Sequence, residues 1–512
     1  MTDRTSRRHA AARKGITITA GALTMLVIVA VFCAMTAMRP LPGLVDASHG
    51  TNAGDTQTVS QLQLESYCPA RMTLADTGSY GDSAFQVTAG DIASTSRYAA
   101  FGSVYRSVAG SLTQESGTTL KTSDAADGIA VASGDVDDAP ALLRTRLLDS
   151  ASGTGAAAAV ASVATDGDLR GVSAASCITP ALSHGFLLSG TQTGTTQQLV
   201  VANPSNKATT VRVRAWGTTG TTAITLSIGE NVTVKAGGET VVDLSAAAAG
   251  QDGLYVSVDS RQTPVAAVVR TVVMDGLTPL GSDYVVSSGE ANRTAVMPGI
   301  AGGDAVRVLL FSRTDTNVVL SWVGDHGRQR ATTAELTAGK VAVVDLKKAP
   351  KTALAVRADA DGDAAIYAAA QATVSANDGQ SDFASINAAT AAGKASAIAV
   401  PDGTQARLVL ANTGDGDQSG TLTGYDDAGN PVGSKRITVS DGTAVDIDAA
   451  DIADDAVVWR WDGDGTAIAW GARLTAPAVD KAKQAGLAYL TPNALEPLKT
   501  RIWVSQNPSI VR

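Results

Sequence analysis

The sequence contains few of the residues on which several protein classes depend. Of its 512 residues, 17% are charged, 4% are aromatic and only three are cysteine. It has neither a glycine at every third position nor a sustained heptad repeat, which excludes collagen-like and coiled-coil structures. Apolar residues still make up 44% of the chain, and they are mostly small and aliphatic. This composition is typical of folded β-rich domains rather than of disordered chains.

Residues suited to catalysis or metal binding are also scarce. Past the N-terminal apolar segment, the histidines are His49, His184 and His326, and there is no H-E-x-x-H, no G-x-S-x-G and no metal-spaced set of cysteines and histidines. We therefore predict no catalytic, cofactor-binding or metal-binding residues, no cofactor and no enzymatic activity. A glycan-active hydrolase is a less favoured alternative, because nothing in the sequence selects a pair of carboxylates.

The net charge of −9 is distributed unevenly. Residues 1–14 hold five of the 40 basic residues and one of the 49 acidic residues, so the rest of the chain has 35 basic and 48 acidic residues, a net charge of −13. Nucleic acids and anionic lipids are bound through clustered lysine and arginine. We therefore expect no nucleic-acid partner.

The longest uncharged run extends from Ile16 to Met38 and reads ITITAGALTMLVIVAVFCAMTAM. As a helix, it is long enough to cross a hydrocarbon core of about 30 Å. Basic residues precede the run and only Arg39 follows it directly, so the positive-inside rule predicts a single-pass protein of the cell membrane with a cytoplasmic N-terminus and an extracytoplasmic C-terminal region. A cleaved signal peptide is the alternative, although the run is longer than a usual h-region and ends without an A-x-A pattern.

Two cysteines, Cys68 and Cys177, remain beyond the apolar run. An even number of cysteines in an oxidising compartment favours a disulfide, and neither flanking sequence supplies a base that would make a reactive thiol. We predict that these residues form a disulfide that closes the first domain.

Three landmarks recur at a period of about 100 residues, which indicates an internal repeat. They are a strand beginning at Gln198, Arg307 and Arg407, a Val-Asp-Leu or Val-Asp-Ile at 242–244, 344–346 and 445–447, and a strand pair ending at Arg270, Gln371 and Arg473. Apolar and polar residues alternate within each copy, and turn residues recur every 8 to 12 positions. This predicts an all-β fold of tandem immunoglobulin-like sandwiches with about seven strands each. A propeller is the alternative, since 100 residues could hold two blades.

The sequence thus predicts eight segments along the chain. They are a cytoplasmic basic tail (1–15), a transmembrane helix (16–38), a linker (39–66), a first β domain closed by the disulfide (67–178), three sandwich repeats (179–290, 291–393 and 394–480) and a C-terminal strand segment (481–512). The last segment contains a strand-like Arg501-Ile-Trp-Val-Ser. We expect it to dock within the chain, with addition to a sheet of another molecule as the alternative.

Two kinds of residue could carry a binding site. Acidic turns at 359–363, 415–417 and 462–464 resemble calcium loops, but Asp and Gly there also suit tight hairpins, which we favour. Trp459, Trp461 and Trp470 could form a sugar-stacking platform, but apolar residues occupy the matching positions of the other repeats, so we predict that they are core residues.

Several segments together resemble an uncharacterised family of actinobacterial membrane-anchored or secreted envelope proteins that carry a domain of unknown function. These are the N-terminal apolar run, Tyr67-Cys68-Pro69, the GDLRGVSAASC that ends at Cys177, and the GFLLSG that precedes LVVANP. The resemblance implies an envelope location linked to glycan or cell-wall biology and supplies no catalytic residues. We expect a non-enzymatic, membrane-anchored scaffold or interaction protein, with an envelope protein or a glycan as partner. A cell-wall glycan-binding protein is the alternative.

Overall fold

The computed structural model describes residues 55–75, 87–114, 116–377, 379–389, 393–497 and 499–504. The chain divides into a compact unit, residues 60–498, and a second unit made of residues 1–59 and 499–512. The transmembrane helix expected at 16–38 lies outside the described residues. Within them, no helix is both long and apolar enough to cross a membrane.

The strands begin with β1 (Asp55–Ser60) and continue with the first of four β-sandwiches, which we name S1 to S4 in chain order. The strands of S1 are β2 (Gln63–Cys68), β3 (Ala93–Phe101), β4 (Val104–Gly110), β5 (Gly117–Thr119), β6 (Lys121–Thr122), β7 (Ala130–Gly134), β8 (Ala141–Leu147), β9 (Gly155–Ala164) and β10 (Gly171–Ser176). They form two sheets in the orders β2-β8-β4-β5 and β10-β9-β3-β7-β6.

S2 and S3 follow with eight strands each. Those of S2 are β11 (Ser183–Leu188), β12 (Thr195–Asn203), β13 (Thr209–Trp216), β14 (Asn231–Val234), β15 (Gly238–Asp243), β16 (Leu254–Ser260), β17 (Ala266–Asp275) and β18 (Thr278–Val285), with a short helix α1 (Leu244–Ala247) after β15. Those of S3 are β19 (Thr294–Pro298), β20 (Ala305–Ser312), β21 (Thr316–Gly324), β22 (Gly327–Leu336), β23 (Val341–Lys348), β24 (Ala353–Ala360), β25 (Ile366–Ser375) and β26 (Ser381–Asn387).

S4 extends past residue 480, where the sequence-based boundary lay. Its elements are β27 (Ala395–Ala399), β28 (Gln405–Asn412), β29 (Gln418–Tyr425), β30 (Pro431–Val439), β31 (Ala444–Asp448), a 3-10 helix (Ala449–Asp451), β32 (Val458–Gly463), β33 (Ile468–Thr475), α2 (Pro477–Lys481), β34 (Ala488–Leu490) and β35 (Asn493–Ala494). The residues beyond 480 belong to S4 because β34 pairs with β33 and β35 pairs with β27. The last strand, β36 (Lys499–Val504), pairs with β1 in a separate two-stranded sheet, so it docks within the chain.

All four sandwiches share one strand order once the added β6 and β35 are set aside. In each, the first, sixth, third and fourth strands form one sheet, which we call sheet I, and the fifth, second, seventh and eighth strands form sheet II. The all-β sandwich prediction is therefore confirmed. The arrangement differs from that of an immunoglobulin domain, which has its first two strands in the same sheet, whereas here they lie in different sheets. Periodic alternation reveals where strands lie but not which strands pair.

The four sandwiches close into a ring within residues 60–498. The outer face of sheet I in each sandwich packs on the outer face of sheet II in the next, and sheet I of S4 packs on sheet II of S1. Each junction has its own buried apolar cluster with residues from both sandwiches, such as Tyr67 and Val200 at S1–S2 and Ala355 and Ala469 at S3–S4. At the other two junctions, the ring of Tyr255 stacks on Phe311 and that of Tyr425 lies edge-on to Phe101. A propeller with two blades per repeat would also have two sheets in each repeat. In a propeller, however, each blade is formed by consecutive strands, whereas here the chain crosses repeatedly between the two sheets of a sandwich.

The predicted disulfide is confirmed. Cys68 ends β2 and Cys177 directly follows β10, so the bond joins the first strand of S1 to its last across a sequence separation of 109 residues. Both cysteines are buried. Backbone hydrogen bonds between Tyr67 and Ile178 lie beside the bond.

Replacing both cysteines by serine should lower the thermal unfolding midpoint of the full-length chain. A crosslink closing a loop of about 110 residues contributes roughly 4 to 5 kcal/mol in the chain-entropy model, and measured contributions are often smaller. Hydrogen exchange should quicken most in β2 and β10. Cys33→Ser provides the matched control, and an unfolding midpoint that is the same in both variants would contradict a stabilising role for the bond.

Candidate functional site

The eighth strands of the four sandwiches, β10, β18, β26 and β34, contact one another at the inner side of the ring. Each is the edge strand of its sheet II. An edge strand carries backbone N–H and C=O groups without a neighbouring strand, and these groups need partners when they are buried. We call this meeting place the hub.

Asp382 of β26 links three of the edge strands at the hub. Its Oδ2 accepts hydrogen bonds from the backbone N–H of Val172 in β10 at 2.8 Å and of Leu487, directly before β34, at 2.9 Å. Its Oδ1 accepts from the N–H of Phe383 at 3.0 Å. The side chain is fully buried. One carboxylate therefore takes the place of main-chain pairing between three sandwiches.

Asp283 of β18 has a similar role on the other side of β26. Its two oxygens accept from the N–H of Ser385 at 2.7 Å and of Ala174 at 3.3 Å. Beside it, the hydroxyl of Ser173 lies 2.9 Å from that of Ser282. The two aspartates thus connect the edge strands of all four sandwiches.

Two glycines allow these close approaches. Gly171 and Gly281 have φ values of +130° and +113°, a region in which other residues are strained. A Cβ atom at Gly281 would lie 2.8 Å from Oδ1 of Asp382, and one at Gly171 would also collide with this carboxylate. Both positions require glycine so that the chain can pass the buried side chain.

Burial raises the pKa of both the Asp283 and the Asp382 carboxyl well above the usual range, and the backbone N–H donors oppose that shift. Both oxygens of each carboxylate are occupied by main-chain donors. The arrangement suits a structural joint rather than general acid or base catalysis, which requires a group that can reach a substrate.

The junction between S4 and S1 has a second set of polar contacts. The buried guanidinium of Arg97 in β3 forms ion pairs with Asp402 and Asp427 of S4, and its Nε donates to the carbonyl of Val400 at 3.3 Å. Asn493 of β35 accepts from the N–H of Ala158 at 3.2 Å and donates to the carbonyl of Cys177 at 3.3 Å. These contacts close the ring between the sandwiches that are farthest apart in the sequence.

The acidic turns are engaged mainly in local contacts. Asp359 pairs with Arg357, Asp462 with Arg460 and Asp464 with Arg436, while Asp417 accepts the N–H of Asp441. No group of three or more acidic, histidine or cysteine side chains within the described ranges is arranged to hold a metal ion. These contacts fit the favoured hairpin interpretation.

The prediction that the three tryptophans are core residues is confirmed. Trp459, Trp461 and Trp470 are fully buried inside S4, and the indole N–H of Trp470 donates to Ser396 Oγ at 2.8 Å. None of them presents the flat exposed ring that a stacking platform needs.

The described histidines lie apart. His184 is buried in S2, where its Nε2 is 2.7 Å from the carbonyl of Val265 and burial lowers its pKa. His326 is exposed in the hairpin between β21 and β22 of S3, beside Asp325. His49 lies outside the described residues.

The sequence contained a signal for the hub that alternation alone does not reveal. Ser282-Asp283-Tyr284 and Ser381-Asp382-Phe383 are two Ser-Asp-aromatic motifs, one in the eighth strand of S2 and one in that of S3. The two aspartates differ by two positions in register, since Asp283 lies opposite Thr271 and Asp382 lies opposite Val374. An aspartate within a largely apolar strand indicates a buried structural role, because an unpaired buried carboxylate is too costly to retain.

Asp382→Asn should destabilise the full-length chain by about 1 to 3 kcal/mol, because an amide nitrogen cannot accept the N–H groups that now bind an oxygen. Since the folded pKa of Asp382 is raised, the folded state binds more protons than the unfolded state. The contribution of this group is therefore greatest below its ordinary pKa and declines as pH rises through the folded value.

The difference in stability between the native chain and Asp382→Asn should accordingly shrink from pH 5 to pH 8 in urea titrations. Asp415→Asn, in an exposed turn, is the matched control and should leave the midpoint unchanged. A difference that grows with pH would show that the N–H donors outweigh burial.

Comparison with known proteins gives one family. A family model described as "Family of unknown function (DUF5719)" matches residues 130–450, from β7 of S1 into the 3-10 helix of S4. A search of curated proteins gives no match. The match covers more than half of the chain and confirms the expectation of a domain family of unknown function. The chain belongs to this DUF5719 family.

Proposed function

We propose that the chain is a non-enzymatic interaction protein of the cell envelope, held at the membrane by residues 16–38 with the ring on the extracytoplasmic side. The observation that carries the proposal is the closed ring itself, which is braced by a disulfide and joined at the hub by buried carboxylates. A preformed ring of packed sandwiches offers a large surface that needs little ordering to bind a partner.

An extracytoplasmic location of the ring is supported by two independent features. Disulfides persist in oxidising environments outside the cytoplasm, and Cys68–Cys177 is such a bond. The basic residues that precede Ile16 favour a cytoplasmic N-terminus. Both features favour an extracytoplasmic location for the residues beyond the apolar run.

The outer strands favour recognition through side chains rather than by strand addition. The fourth strands are the free edges of sheet I, and two of them carry exposed basic residues, Arg328 and Arg330 in β22 and Lys435 and Arg436 in β30. Pro431 begins β30. Charged residues and proline on an edge strand oppose the pairing of a further strand, so a scaffold role through β-augmentation is disfavoured at these edges.

The ring also changes the kind of scaffold that we propose. Tandem sandwiches joined end to end would act as an extended spacer, whereas S1 to S4 pack face to face and close. A platform for a partner therefore fits the arrangement better than a spacer.

The hydrolase alternative predicts that the purified chain releases reducing ends from cell-wall glycan, and an assay for reducing ends tests this alternative directly.

Membrane attachment should depend on residues 16–38. The full-length chain should sediment with membranes, whereas a variant lacking this segment should be absent from the membrane fraction. Protease added outside spheroplasts should cleave beyond residue 39 and spare residues 1–15. Mature protein that begins beyond Met38 would instead establish a cleaved signal peptide.

A partner should depend on the closed ring. Cross-linking in intact cells with a membrane-impermeant reagent, followed by mass spectrometry, should recover a defined envelope protein or glycan polymer with the native chain. Arg97→Met, which removes the cation at the S4–S1 junction, should reduce that recovery severalfold. Arg330→Met, an exposed arginine in β22, is the control and should not.

Two results would contradict the interaction role. One is recovery of the native chain alone under conditions that cross-link known envelope complexes. The other is equal recovery of the partner with native chain and Arg97→Met after hydrogen exchange has shown that the junction is opened in the variant.

A further inference from the structure

One end of S1 carries three large apolar side chains that are exposed. Leu62 precedes β2, Tyr105 lies near the start of β4 and Leu148 follows β8, and their exposed fractions are 46%, 69% and 66%. The strands of sheet I are ordered β2-β8-β4, so the three residues lie on adjacent strands, which are about 4.8 Å apart. We call them the S1 patch. Single exposed apolar residues are ordinary, whereas a cluster of them marks an interaction surface.

The backbone of sheet I holds the patch in place. The N–H of Leu147 donates to the carbonyl of Leu62 at 2.8 Å, and the N–H of Leu148 donates to the carbonyl of Ser103 at 2.8 Å. A β-bulge at Tyr105 interrupts the pairing of β4 with β8, and bulges re-aim the side chains that they carry. The patch therefore belongs to the rigid end of a sheet.

The fold does not require apolar side chains at this end of a sandwich. The same backbone hydrogen bonds identify the residues of S3 and S4 that correspond to Leu62 and Leu148, and these are exposed and charged: Arg293 and Asp361 in S3, and Lys394 and Asp464 in S4. In S2, Leu182 takes the position of Leu62 and is 48% exposed. The apolar residues are thus confined to S1 and to the segment that leads from it into S2.

The patch lies where the chain enters the ring from the apolar run 16–38. Leu62 is 24 residues beyond Met38, a length that spans at most about 85 Å when fully extended. Of the four sandwiches, S1 is therefore the one that follows this run most closely along the chain. A membrane that holds the run would keep S1 near its surface.

The charges of S1 favour the same orientation. The exposed Asp135 and Asp138 lie before the start of β8, whereas the patch lies at its end. Beside the patch, the exposed Arg106 and Arg146 outnumber Asp149. The surface of a membrane that contains anionic lipids attracts basic residues and repels acidic ones. It therefore favours an approach of the patch and disfavours an approach of the opposite end.

We infer that the S1 patch rests on the surface of the lipid bilayer that holds residues 16–38. Leu62, Tyr105 and Leu148 enter the interfacial layer, which accepts apolar side chains and the amphipathic ring of tyrosine. The contact orients the ring of sandwiches, because the acidic end of S1 is then directed away from the lipid. The inference rests on the proposed attachment to the membrane and adds to it the part of the ring that meets the bilayer.

The test uses the full-length chain with Cys33→Ser in nanodiscs of phosphatidylcholine and phosphatidylglycerol. The fluorophore NBD is attached to Asp149→Cys beside the patch, or to Asp138→Cys at the opposite end of S1 as the matched control. A phosphatidylcholine with a doxyl group near its head group should quench NBD at position 149 severalfold more than at position 138. The difference should persist at high salt, because the contact is mainly apolar.

Substitution of the patch provides the second arm of the test. Tyr105→Asp should reduce the quenching at position 149 severalfold, because a carboxylate is unfavourable in the interfacial layer. Leu277→Asp, at an exposed leucine between β17 and β18 of S2, is the matched control and should leave the quenching unchanged. The thermal midpoint should be the same in both variants, since both side chains are exposed.

The possible failures are distinguishable. Equal quenching at positions 149 and 138, in a chain that co-elutes with the nanodiscs, overturns the contact and leaves the attachment intact. Equal quenching together with a dimer that Tyr105→Asp dissociates also overturns it, and assigns the S1 patch to a second copy of the chain. A chain that does not co-elute with the nanodiscs overturns the attachment and the contact together.

Discussion

The structure depends on how four sheet edges are satisfied where they meet. The eighth strand of each sandwich is an edge, and the backbone groups of such an edge cannot be buried without partners. Asp382 and Asp283 provide acceptors that reach N–H groups of three neighbouring segments at 2.7 to 3.3 Å. Desolvating two carboxylates is unfavourable, and this cost is offset only because every oxygen is bound. The hydrogen bonds of the hub are therefore interdependent, because loss of one carboxylate leaves several backbone N–H donors unpaired at once.

Once the edges are joined at the hub, the outer faces of the sheets determine the rest of the arrangement. Strands such as β9 and β12 are buried on both faces in their central residues, so each sheet II must be covered by the sandwich before it. A linear series would leave sheet II of S1 and sheet I of S4 uncovered. Closing the ring removes both exposed faces, with Phe101 and Tyr425 in contact at the closing junction. Arg97 and Asn493 then supply the polar contacts that fix the register of that junction.

Much of the fold could be predicted because it rests on local pattern. The 100-residue period, the strands and the Cys68–Cys177 bond follow from spacing and alternation. The ring could not be predicted that way, although the sequence held a sign of it. Leu199-Val-Val-Ala and Val308-Leu-Leu-Phe are continuous apolar runs, which indicate strands covered on both sides rather than half-buried ones. S1 shares only its strand order with the other three sandwiches, because their sequence landmarks do not recur in it.

A ring of four units with one topology also helps to separate structural residues from residues free to serve a function. Arg–Asp pairs recur on the sixth strands of S3 and S4, at Arg357–Asp359 and Arg460–Asp462, so the fold itself accounts for them. Features found in one unit alone need another explanation. In S4, Ala449 stands where S2 has Leu244, and Trp459 stands where S2 has Val256. Both residues belong to one buried cluster of S4, so the smaller side chain at one position is offset by the larger side chain at the other, as close packing of a core requires.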